Sequence, residues 1–461
     1  MSALVKRVPA VQRAPFVLPL FVLALTLLGP LLGRGYGRYL LVFYVALLPL
    51  VLGHPIPRPH RVPFLYLYLA ANALALVLHL GSPDSVLNAG SLLVSIVAIA
   101  GAAYYCVRWS GSQVADRSLE RWLWISLGLA FVFSIILTGV GWPTAPDYFP
   151  WEAFYSDKRL LLINGDGVGH TTSLWVMAFL SAFTIHKLAT HRSHKAGLAV
   201  LLGVLVLCLL ATKSRLALVY VLNLLVMGLA YQRVPFIRVL VFVVPSAYAI
   251  IFLLVAVSIQ LGIGINLAAR AAQNEVGEWV RITPGEETRA TVFAGRDVLN
   301  QALLPASLEK PLQGLGDNAD ILSYGVDADG YVAYDQDRKK ANTESVLRLA
   351  VKYGWPYFGV LVVFLASIPW ALRRLPKREQ ILKVGLWGMC VESIASGGGM
   401  EMFYGTSGLF LLVLCLALFG ATCAKRWDSP GQAKEYGRVR IVAARPDPRC
   451  VKDRAELLAT N

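Results

Sequence analysis

The amino-acid sequence predicts an all-α polytopic membrane protein of about twelve spanning helices with one large extracytoplasmic loop, and three observations predict it. Apolar residues make up 56% of the 461 and charged residues 15%. The apolar residues are gathered into long runs rather than spaced at amphipathic intervals, and Lys and Arg collect in alternate connections between the runs. A water-soluble chain has no interior large enough to hide that much apolar surface.

A bilayer core of roughly 30 Å asks for about 20 apolar residues per helix. Runs of this kind occur at Phe16 to Gly33, Tyr39 to Gly53, Phe64 to Leu80, Gly90 to Val107, Trp122 to Val140, Thr171 to Ile185, Ala196 to Ala211, Leu216 to Tyr231, Val239 to Leu261, Tyr357 to Leu372, Val384 to Ile394 and Gly408 to Ala424. They divide the chain into an N-terminal bundle over 1–262, an outer loop over 263–355, C-terminal spans over 356–424 and a basic tail over 425–461.

Orientation follows from the charges. With the N-terminus inside, the cytoplasmic connections are His54 to Val62, Arg108 to Arg121, Lys187 to Lys195, Gln232 to Arg238, Arg373 to Lys383 and the tail from Lys425, all rich in Lys and Arg. The outer ones Gly81 to Leu87, Gly141 to Gly169 and Ser396 to Phe403 carry few basic residues, and the short link Arg34 to Arg38 is an exception. This is the positive-inside pattern, and it puts both termini in the cytoplasm. The net charge of +15 is then explained by topology and anionic cytoplasmic lipid. Nucleic-acid binding is not expected, because the basic residues are dispersed among short loops.

Of the cysteines, Cys106, Cys208, Cys390, Cys415 and Cys423 fall in or at the ends of spans and Cys450 in the tail, so no disulfide is expected. The N-terminus shows no cleavable-signal pattern, and its first span reads as a retained anchor. Zinc spacing, a P-loop and a nucleophile elbow are absent. The string Asn164-Gly165-Asp166-Gly167-Val168-Gly169 follows no strand in a βαβ pattern and reads as a loop entering a membrane helix.

The outer loop, from about Gly262 to Gly354, is far longer than a simple connection needs. Ala290 to Leu304 has helical periodicity, and Thr343 to Lys352 reads as a second short helix. Between them Gly314 to Asp337 holds Asp317, Asp320, Asp327, Asp329, Asp335 and Asp337. Asp327-Ala328-Asp329-Gly330 echoes a cation loop but lacks the full ligand pattern, so these acids read as a solvated face and no metal is expected. Three arginines fall at the outer mouth: Arg215 in the turn Thr212-Lys213-Ser214-Arg215, Arg296 on the loop helix, and Arg159 ahead of the sixth span. Each alone reads as an interfacial charge, but several together suggest an anion site, because a guanidinium fork matches phosphate oxygens and stays charged.

The turn Thr212-Lys213-Ser214-Arg215-Leu216-Ala217, then Gly295-Arg296, Ala302-Leu303, Lys310-Pro311-Leu312 and Gly314-Leu315-Gly316, then Asn342, Leu347, Gly354 and Gly359, resemble in order and spacing the landmarks of the O-antigen ligase and O-antigen polymerase superfamily. The resemblance covers roughly Arg159 to Val360. It implies a GT-C-like glycosyltransferase, without cofactor or metal, that takes a glycan from undecaprenyl diphosphate on the periplasmic side of the bacterial inner membrane. For a ligase the acceptor is the lipid A core. Carried over, Arg215 and Arg296, helped by Arg159 and Asn342, would hold the diphosphate and stabilise its growing charge.

One departure matters. Where the family commonly has a His before the Asn, as base for the acceptor hydroxyl, this chain has Ala341, and a methyl group accepts no proton. His170 and Glu344 are the preferred substitutes, with His79 and the intramembrane acid Glu392 behind them. Three functions stay open: the ligase, a polymerase using two lipid-linked glycans, and a lipid-linked glycan transporter. The acid-rich Gly141 to Gly169 connection favours the ligase over a polymerase. A transporter predicts an internal repeat and midplane polar residues, and no convincing repeat is found.

Overall fold

The computed structural model describes residues 113–140, 150–156, 160, 163–164, 167–168, 170–191, 194–232, 235–260, 305–315, 347–373 and 375–395, with scattered helical positions between 67 and 78. The predicted spans at Phe16 to Gly33, Tyr39 to Gly53, Gly90 to Val107 and Gly408 to Ala424, the loop helix Ala290 to Leu304 and the tail lie outside the described residues, as do all six acids of Gly314 to Asp337.

The apolar runs from Trp122 to Ile394 each form a helix, because leucine, valine and alanine runs carry no competing turn signal. These are α1 (Gln113–Gly139), α2 (His170–Thr190), α3 (Lys195–Ala211), α4 (Arg215–Tyr231) and α5 (Pro235–Gln260). After the outer loop come the short α6 (Arg348–Tyr353), then α7 (Trp355–Leu372) and α8 (Lys377–Ala395). A 3-10 turn, Pro150–Phe154, and a hairpin of two-residue strands, β1 (Ile163–Asn164) and β2 (Gly167–Val168), lie between α1 and α2.

Helix ends differ from the hydropathy reading at four connections: α2 runs on to Thr190 within Lys187 to Lys195, and α5 begins at Pro235 within Gln232 to Arg238. Arg108 to Arg121 is not wholly a connection, since α1 begins at Gln113, and Arg373 to Lys383 is not one either, since α8 begins at Lys377. Hydropathy marks where apolar residues end, whereas the hydrogen-bond ladder continues through charged residues that tolerate helix well. The 27 residues of α1 therefore reach about 40 Å, past any hydrocarbon core.

Two helices form the centre. Ile381 to Ala395 of α8 is buried without a break, and so is Leu174 to Ile185 of α2. Around them α1, α3, α4, α5 and α7 turn one apolar face inward and another outward. Leu218, Leu222 and Leu225 of α4 are 60%, 48% and 58% exposed, and Val200, Val204 and Leu207 of α3, Ile250, Ile251 and Leu254 of α5 and Val362 and Val363 of α7 are likewise exposed. An assembly apolar both inside and outside suits lipid rather than water. Of the described helices, α7 is long and apolar enough to cross a membrane by length and composition, and the others hold shorter apolar stretches such as Leu174–Thr190 and Lys195–Ala211. The fold is all-α and consistent with a membrane protein.

Several serine and threonine hydroxyls inside the helices bond a carbonyl of the preceding turn, which suits a medium without water. Thr138 donates to the Ser134 carbonyl at 2.7 Å, Ser181 to that of Met177 at 2.7 Å and Ser367 to that of Phe364 at 2.7 Å. Between helices, Trp387 Nε1 donates to the Leu365 carbonyl at 3.0 Å, tying α8 to α7.

Glycines set how closely α8 approaches its neighbours. A methyl group on Gly388 would stand 2.5 Å from Pro245 Cγ and 2.8 Å from Asn223 Nδ2, whereas one on Gly385 would meet the flexible end of Met227, Cε at 2.6 Å. Pro245 sits inside α5, where its ring cannot donate to the carbonyl of Val241 and cannot bend away. Gly388→Ala is expected to destabilise the bundle by about 1–3 kcal/mol and Gly385→Ala by less, read as unfolding midpoints in detergent.

Candidate functional site

Hydrogen bonds between helices define two ends of the bundle. Trp175, near the start of α2, bonds Ser393 near the end of α8, and the Leu160 N–H bonds the Ala211 carbonyl at the end of α3 at 2.9 Å. Antiparallel neighbours then bring the start of α2, the turn between α3 and α4, the start of α7 and the end of α8 to one end. Arg215 and His170 are therefore on the same end of the bundle, each the first residue of its helix.

The turn carrying Arg215 is tightly built. Thr212 is fully buried and its hydroxyl donates to the Leu209 carbonyl at 2.6 Å. Lys213 takes a left-handed conformation, φ 49°, which disfavours a residue with a Cβ by roughly 1–2 kcal/mol. Its ammonium is engaged in return, donating to the Ser156 carbonyl. Ser214 is extended at the N-cap with no side-chain cap bond, and α4 starts at Arg215. The start of a helix favours anions through its unpaired N–H groups and dipole, and here an arginine adds a full charge.

The preceding connection is laid over that turn. Ala153 and Leu160 are buried beneath it, while Trp151, Phe154 and Tyr155 are 53%, 52% and 74% exposed. The string Asn164 to Gly169 is not a plain loop. Ile163 pairs with Val168 and Asn164 with Gly167, antiparallel, across a two-residue connection of the Gly-Asp kind that tight hairpins favour. Two-residue strands fall below what alternation of side chains can signal, which is why hydropathy missed them.

A second structure at this end joins three of the sequence landmarks. Residues 305–309 are helical, and the chain through Lys310 to Leu315 then lies against α6 and the start of α7. The Leu315 N–H bonds the Val351 carbonyl at 2.7 Å, and the Trp355 N–H bonds that of Pro311 at 2.8 Å. Gly314 and Gly354 both have positive φ, 76° and 85°, and each faces the other segment's backbone. A methyl group on Gly314 would stand 2.6 Å from the Tyr353 nitrogen, and one on Gly354 would stand 2.9 Å from the Pro311 oxygen. Of the predicted helix Thr343 to Lys352, Arg348–Tyr353 is helical and 343–346 lie outside the described residues.

Below the mouth runs a row of buried polar groups that the sequence reading found only in part. Trp175 Nε1 donates to Ser393 Oγ at 3.1 Å, and Tyr220 lies against Ser393 and Glu392. Asn223 Nδ2 donates to Glu392 Oε1 at 3.2 Å. Glu392 is fully buried, and a general base must come within hydrogen-bond reach of the proton it takes, so it is not open to a substrate hydroxyl as the structure stands. Asn223 and Tyr220 were missed because a lone polar residue in an apolar run has no pattern. At the opposite end His186 Nδ1 meets the Tyr231 hydroxyl at 2.7 Å, with Glu120 at 3.8 Å from Nε2, and Lys187 lies over the Trp124 ring.

The other expected site residues, Arg296, Arg159, Asn342 and Glu344, lie outside the described residues, as does Ala341. Among the described residues no group of His, Cys, Asp and Glu side chains is placed to hold a metal ion.

No protein-family model and no curated protein matches this chain. A chain from a solved structure on coordination of polymerization and crosslinking by a peptidoglycan synthase complex is similar at a TM-score of 0.39 and 15% identity, over 80% of this chain and 98% of that one. A likeness at that level fixes neither fold nor activity.

Proposed function

We propose that this protein is an O-antigen ligase of GT-C-like fold in the bacterial inner membrane, transferring a glycan from undecaprenyl diphosphate to the lipid A core at the periplasmic face. The observation that carries the reading is convergence at one end of the bundle. Landmarks more than 90 residues apart in sequence, the Thr212 to Ala217 turn and the Lys310 to Leu315 segment clasped to α6 and α7, are both built there, with Arg215 and His170 on helix starts. Basic residues gather in the connections at the other end, so the positive-inside pattern supports a periplasmic mouth.

In this reading Arg215 and Arg296 hold the donor diphosphate, with Arg159 and Asn342 beside it. The bond between the sugar's anomeric carbon and the phosphate oxygen breaks, and the diphosphate leaves with the electron pair. The acceptor hydroxyl attacks that carbon and gives its proton to His170 or Glu344. Fixed cations placed where charge develops supply the stabilisation, so a resident metal has no part in the scheme. The exposed leucines of α4 and valines of α3 provide apolar surface for the donor's lipid and for membrane lipids.

A reconstituted assay tests it, offering purified lipid-linked glycan with either lipid A core or a second lipid-linked glycan as acceptor. Transfer to the core, unaffected by a chelator, is the expected result. Elongation of the lipid-linked glycan instead would make the protein a polymerase, and chelator inhibition reversed by magnesium would remove the metal-free scheme.

A further inference from the structure

The mechanism leaves one buried acid unused. Glu392 has no exposed surface, and Asn223, which donates to its Oε1, is 1% exposed. Two oxygens of this pair, Glu392 Oε2 and Asn223 Oδ1, are buried without a hydrogen-bond partner. If the carboxyl is ionised, both are acceptors and neither can satisfy the other. The groups facing it bring no opposite charge. They are Cys390 and Ser393 on α8 and Tyr220 and Asn223 on α4, with Tyr248 of α5 acting on Tyr220 and Trp175 of α2 bonded to Ser393. None carries a formal positive charge. The buried Lys383 is nine residues earlier on the same helix, about 13 Å toward the other end.

A carboxylic acid and a primary amide together can make a closed pair with two hydrogen bonds, amide N–H to acid carbonyl and acid O–H to amide carbonyl. The first of these is present. One proton on Oε2 turns it into a donor and matches it to the second orphan, Asn223 Oδ1. Both unsatisfied oxygens vanish together, in an interior where an unpaired charge is far more unfavourable than a neutral acid. The seat for the amide is shaped by Gly388, whose missing side chain leaves room for Asn223 Nδ2.

We propose that Glu392 is a proton-binding site, held as a neutral carboxylic acid and closed by Asn223 into an acid–amide pair that joins α4 to α8 inside the bundle. The acid is thus a neutral clasp, neither a general base nor a ligand for a cation. Its partner Asn223 is on the helix that begins with Arg215, about two turns below that residue.

The test uses the full-length protein in lipid nanodiscs. Infrared spectroscopy at neutral pH should show the carbonyl band of a protonated acid that disappears in Glu392→Gln. Because glutamine keeps a neutral two-bond pair with asparagine, Glu392→Gln should retain the wild-type unfolding midpoint, and the swap Asn223→Asp with Glu392→Gln should keep that midpoint and restore the band. Glu392→Ala should lower the midpoint by several degrees or fail to insert. A carboxylate band in place of the acid band would overturn the proposal. So would a Glu392→Gln variant as unstable as Glu392→Ala, or a sodium- or potassium-dependent midpoint in the wild type that Glu392→Gln abolishes, which would make the site a cation site.

Discussion

Gly314→Ala and Gly354→Ala are each expected to destabilise the junction between the outer loop and α7 by about 3–5 kcal/mol, among the largest single-residue effects in the chain. Two independent terms add at each position. The backbone sits where L side chains rarely go, with φ 76° at Gly314, and φ 85° and ψ 165° at Gly354, a region reserved almost entirely for glycine. The new methyl would also meet backbone rather than a yielding side chain: Lys352 and Tyr353 in one case, Pro311 and Leu312 in the other. Backbone held by the Leu315 to Val351 and Trp355 to Pro311 hydrogen bonds cannot give way without losing those bonds. Gly197→Ala and Gly203→Ala in α3 are the controls, since an added methyl meets nothing within 4 Å there, and helix propensity predicts a small gain. Thermal unfolding in nanodiscs, with limited proteolysis of the 305–315 segment, reads the difference. Equal midpoints for the two sets would show that the clasp carries no stability.

Arg215→Ala is the second large effect, on activity rather than stability. Within the proposed function, loss of one preplaced cation at the departing diphosphate is expected to lower kcat about 10²–10³-fold, and Lys should recover only part of it, because an ammonium lacks the fork that grips two oxygens. The fold should tolerate the change: alanine suits the first turn of a helix, and the Thr212 and Lys213 bonds that shape the turn do not involve the arginine. Measured as initial rates of glycan transfer at matched levels of inserted protein, wild-type activity in Arg215→Ala would remove this residue from the mechanism.

Much of the bundle was legible in the sequence because spanning helices are local objects. α3 and α4 match the predicted Ala196 to Ala211 and Leu216 to Tyr231 within one residue, since each is one uninterrupted apolar run between turn residues. The errors lie where hydropathy and hydrogen bonding part company, at the first turns of α1, α5 and α8 and the last turn of α2. The candidate site was legible only as residue types in order. That Arg215 and His170 share an end follows from helix alternation, but the hairpin ahead of His170 and the clasp on Gly314 and Gly354 do not, because both are made by pairing between backbone segments.

The sequence by itself determined the all-α class, the lipid-suited surface and which turn carries Arg215, because a helix satisfies its own backbone and needs only a run of apolar residues to form. Tertiary structure alone decided that α2 and α8 are the enclosed helices, that Asn223 meets Glu392, and that the Gly314 and Gly354 backbones abut. Such contacts depend on which faces of distant helices meet at close packing, and no single segment carries that information.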